Sequence, residues 1–504
     1  MATDSTIVHR EYSAMKLDWD KCRDCYLGSR KVKERRERYL PIPNGQDTSD
    51  RNIRKYNNYI LRAVFLNVVA PTIDTMVGSI LRRDPRINIP KEIEYILDDA
   101  NGAQVPFIDF VKKTLTEMGI AGRYGLLIDQ YPSEATNKAE EEAEGIMPRI
   151  VVYPAESIIN WHESVINGIK KPDLIVLNEI KEVQNEKNEF EYDASIVQRK
   201  LSLENGVYTQ TLWDKDKQIP FENGEMVIVP TKTGKLTFDY IPFVFLGITS
   251  NTSDIDQPPF LPLAELNLGH YRNSADVEES CFISGQPTLI LSGLDQGWVD
   301  KNFVDGILLG AGNAIPLPKN GDAKLIQAEA NSLVAQEMEK KEERMLKVGV
   351  RATDGTRGRE TATAAGARVS VDEAMMMKLR DSVSSGIEQA LAFLYDYVVG
   401  KPIDDKDDIV FQLNKVFYAR IIDPQLVLAL IATFTQKLIT FEELRENLLE
   451  MGIVIDEESD IEELKRLYEE YVAQKEPNGT AKVVEDDSVA VPDVNQTTDE
   501  NVDA

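Results

Sequence analysis

The sequence is poor in the side chains that many enzymes use for metal binding and acid–base chemistry: its 504 residues include 3 histidines and 3 cysteines. His9, His162 and His270 are scattered and form no HExxH pair, so we predict that none of them binds a metal. Cys22 and Cys25 are spaced as CxxC on a predicted helix, but no second pair completes a zinc site and no strand–loop–helix setting favours a redox pair. So few cysteines in a chain of this length exclude a disulfide framework and indicate a reducing environment.

Nucleotide-binding loops are also missing. No segment matches GxxxxGK[ST], so the chain is not itself a P-loop ATPase, and Gly310 and Gly312 lack the helix-opening third glycine of a dinucleotide site. The acidic run at 404–408 admits a metal-dependent nuclease centre, although neighbouring carboxylates in a polar linker are more often solvated. We therefore predict that the chain is not an enzyme and has no cofactor. A carboxylate- or metal-dependent hydrolase is kept as an alternative, ranked third behind the two non-enzymatic functions considered below.

Long hydrophobic runs are absent as well. The chain opens without the apolar core of a secretory signal, and the runs at 63–70 and 426–434 are too short to cross a bilayer. With 42% hydrophobic and 28% charged residues, the composition is that of a folded soluble protein. The length allows roughly two to four domains. We therefore expect no membrane partner.

Positive charge is the remaining shortage, because the formal net charge is −28. A protein that holds nucleic acid over a broad face is normally basic, so any role with DNA must be passage or brief contact. Cationic residues nevertheless concentrate in a cluster from Arg30 to Arg38 and in the loop GVRATDGTRGRE, from Gly349 to Glu360.

The loop Gly349–Glu360 is the most informative segment of the sequence. Its glycines would break a helix, and predicted helices flank it on both sides. Arg351, Arg357 and Arg359 place positive charge on a segment that can move, which suits brief, sequence-blind contact with a polyanion such as DNA. A solvated surface hairpin between two helices is the plainer interpretation.

Periodicity predicts an α+β chain. In the first half, helical patterns cover residues 10–40, 56–83 (interrupted at Pro71) and 107–118. Strand patterns cover the β-rich part, 148–247. In the second half we predict two polar helices, at 261–282 and 328–348, with a small α/β module between them at 283–327. A long amphipathic helix at 361–400, further helices at 401–475 and a disordered acidic tail at 476–504 follow. Strands at 287–291 and 307–309 belong to the small module. Asp423-Pro424 and a Thr440/Glu443 capping box mark two helix starts.

The two polar helices, 261–282 and 328–348, have hydrophilic residues nearly all round. Such a helix either spans solvent or packs against equally polar copies of itself. The second helix has acid–base pairs at the stabilising i,i+4 spacing, Glu337 with Lys341 and Glu343 with Lys347.

Five strings occurring in this order resemble tailed-bacteriophage portal proteins, the head-to-tail connector rings at the DNA-packaging vertex. They are YILRAVFLNVVAPTIDTMVGSILRRDP (59–85), GIAGRYGLLID (119–129), YPAESIINW (153–161), QPPFLPLAELNLGHYRNSADVEE (257–279) and RETATAAGARVSVDEAMMMKL (359–379). The likeness covers about residues 10 to 450. The large β-rich insertion and the acidic tail depart from the simplest family pattern.

The resemblance implies a portal-like subunit with a helical and β-rich wing, a two-helix stem, a small α/β clip, a tunnel loop, a long bridging helix and a helical crown. The implied bounds are 1–260 for the wing, 261–282 and 328–348 for the stem helices, 283–327 for the clip, 349–360 for the tunnel loop, 361–400 for the long wing/crown helix and 401–475 for the crown. The tunnel-loop residues expected to touch DNA are Arg351, Arg357 and Arg359. The stem residues expected to pack between subunits are Glu265, Arg272, Glu337, Lys341, Glu343 and Lys347.

Portal proteins form closed, usually dodecameric rings. In such a ring, helices that have no apolar face for packing within their own subunit can pack against neighbouring copies. The resemblance implies a channel in the virion vertex for packaging and ejecting double-stranded DNA, assembled in the host bacterial cytoplasm. The implied partners are copies of the chain itself, the passing DNA, the terminase large subunit, head–tail adaptor proteins, the major capsid protein and a scaffold protein. The main alternative is a ring or scaffold protein of a large assembly without a DNA channel.

Overall fold

A computed structural model describes most of the chain in two compact units, Met1–Phe417 and Tyr418–Ala504. The described residues are 4–130, 147–166, 168–185, 187–214, 217–219, 229–231, 234–285, 288–302, 317–326, 332–348, 362–400, 409–415, 417, 424–436, 438–450 and 466. Helices and strands occur in separate blocks with several small sheets, which confirms the predicted α+β class.

The helices of the described residues are α1 (Arg10–Leu27), α2 (Ser29–Glu34), α3 (Asp50–Arg62), α4 (Val69–Ile80), α5 (Phe107–Ala121), α6 (Leu261–Ser284), α7 (Gln296–Asn302), α8 (Ser332–Val348), α9 (Ala362–Val399), α10 (Pro424–Thr435) and α11 (Phe441–Glu450). Short 3-10 turns occupy Arg36–Arg38, Lys91–Leu97 and Ala155–Ser157.

The strands in the same part of the chain are β1 (Arg86–Asn88), β2 (Arg123–Asp129), β3 (Arg149–Pro154), β4 (Ile158–Ile166), β5 (Ile169–Asn185), β6 (Asn188–Glu204), β7 (Val207–Asp214), β8 (Lys217–Ile219), β9 (Val229–Thr231), β10 (Gly234–Leu236), β11 (Phe243–Gly247), β12 (Thr288–Ser292), β13 (Asp322–Ile326) and β14 (Val410–Gln412).

Two predicted helix bounds near the N-terminus are wrong. The helix expected over 10–40 is divided at Gly28, whose φ of 85° ends α1 in a conformation that other residues rarely adopt. The helix expected over 56–83 is two helices, and the break lies before α4 rather than at Pro71. Pro71 is in the first turn of α4, where its missing N–H would have had no partner within the helix.

The core of the first unit forms where α9 crosses a three-stranded antiparallel sheet, in the order β11-β2-β3. Gly386 of α9 permits the close approach, because a Cβ there would lie 2.0 Å from Cδ2 of the buried Leu246. At the start of β2, Arg123 is buried between the rings of Trp161 and Phe245, at 4.4 and 4.8 Å from their centroids. Its Nη1 donates to the Ser253 carbonyl over 2.7 Å, and burial lowers the pKa of its guanidinium to about 10.

The β-rich part forms an antiparallel five-stranded sheet, in the order β4-β5-β6-β7-β8. Asn205 and Gly206 form the turn between β6 and β7, with φ values of 54° and 78° that suit a tight hairpin. Strands β5 and β6, of 17 residues each, form a long hairpin within the β-rich part. Register shifts near Ile158 and His162 disturb the two-residue alternation of β4.

Strand β14 pairs with β1 in a further antiparallel sheet, a pairing that the sequence did not predict because each strand has only three residues.

In the second unit the predicted helix starts are confirmed. Pro424 is the first residue of α10. Thr440 and Glu443 form the reciprocal capping box before α11, with bonds of 2.8 and 3.1 Å. The predicted disordered tail 476–504 lies outside the described residues.

Candidate channel site

The predicted stem and clip form one antiparallel hairpin, which we call the stem hairpin: α6, β12, α7, β13 and α8. Thr288 pairs with Ile326 in the ribbon of β12 and β13. His270 faces Glu342 between the two long helices. The strand and helix pairs therefore share nearly the same antiparallel register. The strand expected at 307–309 lies outside the described residues, and the observed partner of β12 is β13.

Helix α6 is less polar in its surroundings than its sequence suggested. One face of its first two-thirds is buried, including Leu263, Ala264, Tyr271 and Ala275 at 0 to 1% exposure. The expectation that polar residues lie nearly all round a solvent-facing or copy-facing helix is therefore wrong for this stretch. The reason is that small and polar residues of α6 are used for contacts within the same subunit.

Side chains of α6 bind the N-terminal helices and the connector 63–68 between α3 and α4. The Ser274 hydroxyl donates to the Val64 carbonyl over 2.6 Å, and the Asn267 amide donates to the Leu66 carbonyl over 2.8 Å. Three charge-assisted contacts flank them: Tyr59 with Asp276 at 2.6 Å, Lys21 with Glu265 at 2.9 Å, and Arg62 with Glu279. The carbonyl groups of Val64 and Leu66 are thus satisfied by α6 rather than by helix hydrogen bonds.

Contact between α6 and α8 centres on His270. This side chain is 3% exposed, and its Nε2 lies 2.8 Å from a carboxylate oxygen of Glu342. One residue earlier, Gly269 faces the side chain of Lys341, whose Cε would make an ordinary contact of 3.6 Å with a Cβ at that position. Met345 of α8 is fully buried. The sequence signal for this contact was a histidine among small and apolar residues at helical spacing, which the prediction treated as ordinary packing.

The six predicted stem residues fall in different places. Glu265 pairs with Lys21 of its own subunit, and Lys341 lies beside Gly269. Glu337 pairs at 2.6 Å with Lys340 rather than at the expected i,i+4 spacing. Side chains of the other three residues are exposed, and they are Arg272, Glu343 and Lys347. Subunit packing by these residues remains a prediction.

The predicted tunnel-loop arginines, Arg351, Arg357 and Arg359, lie outside the described residues. What the structure gives is the context of the loop: α8 ends at Val348 and α9 begins at Ala362. The acidic run at 404–408 also falls outside the described part of the chain.

Neither cysteine of the CxxC pair is placed for chemistry. Both side chains are fully buried in α1, and burial raises the pKa of the Cys22 thiol to about 12. The pKa of Cys25 is raised for the same reason. Within the described ranges, no group of three or more His, Cys, Asp or Glu side chains could hold a metal ion.

The other histidines make local contacts. His9 caps α1 by accepting from the Glu11 amide and stacks on Trp161 at 4.0 Å between ring centroids. His162 lies 2.7 Å from Asp173 on the neighbouring strand.

A helix long and apolar enough to span a membrane is not found in the part of the chain that the structure describes.

One family model matches the part of the chain that contains the stem hairpin and most of α9. Residues 259–398 match a family described as a domain of unknown function, DUF4055. The match begins just before α6 and ends in the last turn of α9. No curated protein matches the chain.

Among solved structures, the chain is similar to parts of gene transfer agent particles. One is the neck of a native particle computed with C12 symmetry, at 11% identity and a TM-score of 0.34, covering 75% of this chain and 89% of that one. A second is the virion of the native particle, at 10% identity and a TM-score of 0.37, covering 76% and 89%. A third is the neck of an empty particle computed with C6 symmetry, at 10% identity and a TM-score of 0.38, covering 77% and 90%.

Proposed function

We propose that this chain is the portal subunit of a tailed-bacteriophage-type particle. Its copies would close into a dodecameric ring at one capsid vertex, and double-stranded DNA would pass through the ring during packaging and ejection. The ring would receive the terminase large subunit first and head–tail adaptor proteins later, beside the major capsid protein and a scaffold protein. This is a structural role in the virion, with assembly in the host bacterial cytoplasm.

The stem hairpin is the observation that carries the proposal. One side of α6 is bound to its own subunit, and α8 covers another side through Glu342 and Met345. The rest of α8 mixes exposed charges of both signs with exposed Leu333 and Leu346, at 65% and 50% exposure. Exposed leucines among alternating charges suit contact with the next copy in a closed ring. The ordered strings that resemble portal proteins support the same function.

The link to DNA rests on where the hairpin leads. Helix α8 ends at Val348, and the next residues are the glycine-bearing cationic segment with Arg351, Arg357 and Arg359. Repeated around a ring, a few arginines per subunit would touch phosphates without sequence preference. The strongly negative remainder of the chain would keep DNA from binding tightly, which a channel requires.

The first test is imaging of the purified full-length oligomer. We expect a closed ring with an open axial hole. A monomer, or a closed particle without a central opening, would refute the channel function, and a ring without the opening would favour the scaffold alternative.

The second test removes the three loop arginines by replacing Arg351, Arg357 and Arg359 with alanine. The matched control removes three exposed lysines elsewhere, Lys91, Lys112 and Lys113, so the net charge changes equally. Both variants should form rings. Only the loop variant should alter the efficiency of packaging or the length of DNA retained in particles. Unchanged packaging in the loop variant would contradict a role for these arginines.

A further inference from the structure

The long hairpin of β5 and β6 extends beyond the sheet to which it belongs. Strand β4 pairs with β5 only as far as Leu177, and β7 pairs with β6 only from Gln198 onward. From Ile180 to Ile196, the described residues form a two-stranded ribbon in which every residue except Asn185 is exposed. A two-stranded hairpin standing alone is marginally stable in water, so such a ribbon calls for a partner. We call this segment the free ribbon.

One face of the free ribbon is apolar. Ile180 and Ile196 are opposite each other across the strands, and Tyr192 lies on the same face of β6. Phe190 follows in the irregular stretch where the register shifts after Gln184. The exposed fractions of Ile180, Ile196, Tyr192 and Phe190 are 72, 61, 59 and 87%. Large apolar side chains this exposed, clustered along one ribbon, mark an interaction surface.

The free ribbon is also acidic. Its sequence contains four glutamates and one aspartate against two lysines. Glu182 lies on the apolar face between Ile180 and Gln184, while the exposed Glu189 and Glu191 flank Phe190 on β6. A two-stranded ribbon is thin relative to the screening length of about 8 Å at physiological salt, so acids on both faces contribute to the field that a partner meets.

A surface of opposite charge lies on helix α3. Arg51, Arg54, Lys55, Asn58 and Leu61 lie on one face of this helix, and all are exposed, with Leu61 at 75%. No ion pair is made by the three cations within the described residues. The connector that follows α3 adds two further apolar side chains, Val64 and Leu66, at 52 and 42% exposure. This face of α3 and the connector together form the basic face.

We propose that the free ribbon of one copy docks on the basic face of α3 in the next copy of the ring. The apolar row would pack on Leu61, Val64 and Leu66, with Glu182 and the flanking acids near Arg51, Arg54 and Lys55. Two different but complementary surfaces on one chain make a head-to-tail contact, which is the kind of contact that generates a ring of many subunits. Charge complementarity would fix the register of this contact and speed encounter between copies. This inference rests on the proposed ring.

The test uses full-length chains with matched charge reversals, followed by sedimentation and native mass spectrometry. The ribbon-reversed variant carries Glu182→Lys, Glu189→Lys and Glu191→Lys. The helix-reversed variant carries Arg51→Glu, Arg54→Glu and Lys55→Glu. All six side chains are exposed, so each variant alone should keep the wild-type urea midpoint and circular dichroism as a monomer.

Each reversed variant alone should lose ring assembly, with the concentration needed for half-assembly rising about tenfold or more. An equimolar mixture should assemble again, in rings that contain the two variants in a one-to-one ratio. In such an alternating ring every ribbon meets a basic face of opposite charge. A chain carrying both sets of reversals should also assemble alone. Phe190→Ser, which leaves all charges in place, should weaken wild-type assembly without changing the monomer.

The outcomes separate this contact from the ring itself. A wild-type chain that forms no ring refutes the proposed function. A wild-type ring that tolerates the ribbon reversal overturns the docking proposal alone, as does loss of assembly that neither mixing nor the combined reversals restore. If the ribbon reversal leaves rings intact but prevents their incorporation into capsids, the ribbon binds the shell protein instead, and the proposal is again wrong.

Discussion

Replacing Gly386 with alanine tests how closely α9 must approach the sheet. In an exposed helix interior this change would stabilise the fold by about 1 kcal/mol, because alanine loses less backbone entropy than glycine. At Gly386 the added Cβ would lie 2.0 Å from Cδ2 of Leu246 and 3.1 Å from Nδ2 of Asn251. Overpacking of a core costs about 1–3 kcal/mol. Because a 2.0 Å contact places the overpacking cost in the upper part of that range, about 2–3 kcal/mol, we expect a net loss of about 1–2 kcal/mol, the opposite sign from the propensity effect.

Gly78 of α4 supplies the matched control, since a Cβ at that position would meet nothing within 4 Å. Gly78→Ala should raise the urea midpoint by an amount that reflects up to about 1 kcal/mol. Both midpoints can be followed by tryptophan fluorescence, because Trp19 and Trp161 are buried in the same unit. If Gly386→Ala unfolds at the same urea concentration as the wild type or above it, the close approach of α9 is not a constraint.

A rescue experiment locates the clash. Leu246→Ala alone should cost about 2–5 kcal/mol, as expected for truncation of a buried leucine. In the Gly386→Ala background the same truncation should cost less, because the new methyl group fills part of the space that Leu246 vacates. A double-mutant cycle with no coupling between the two sites would show that the destabilisation has another origin.

Three further substitutions test two buried groups of α1 and the helix cap of α11. Arg23→Met should destabilise by about 3 kcal/mol, measured by urea unfolding, because it leaves the carboxylates of Glu117 and Glu156 mostly buried without their cation. Above pH 9 the unfolded cysteines lose protons that the buried thiols keep, so stability should fall as pH rises, by about 1.4 kcal/mol per pH unit per thiol. Cys22→Ala should reduce that slope, and an unchanged slope between pH 9 and 10.5 would contradict the raised pKa of Cys22. Thr440→Ala should destabilise α11 by about 1 kcal/mol, visible as lower helicity at intermediate urea concentration, whereas the conservative Thr440→Ser should not.

Strong local signals made several elements predictable. The helix predicted over 107–118 is present as α5, which continues to Ala121 and ends at Gly122, whose φ of 68° is the left-handed cap that glycine favours. Pro424 and the Thr440/Glu443 box gave correct helix starts because each satisfies terminal N–H groups or lacks the N–H that would need a partner. The Asn205-Gly206 turn between β6 and β7 is equally local, because these residue types tolerate the positive φ values that a tight hairpin needs.

The errors occurred where distant residues decide the structure. The break between α3 and α4 depends on connector backbone groups that bond to Asn267 and Ser274, some two hundred positions later in the chain. Pairing of β1 with β14 is more remote still, because Arg86 lies opposite Gln412. The burial of α6 could not be read from its own composition, because its polar side chains have partners on other helices rather than in water.

The contact between α6 and the connector 63–68 has a mechanical consequence. Tilting α6 away from the N-terminal helices would uncover the carbonyls of Val64 and Leu66 and separate Asp276 from Tyr59, so these parts are expected to move as one body. Among the described residues, α8 is held to α6 by the hydrogen bond between His270 and Glu342 and by packing around the buried Met345. Sliding of α8 along α6 therefore breaks fewer hydrogen bonds than tilting α6 away from the N-terminal helices. A motion that starts in the segment after α8 would be absorbed first as shear within the stem hairpin, before it reached the rest of the subunit.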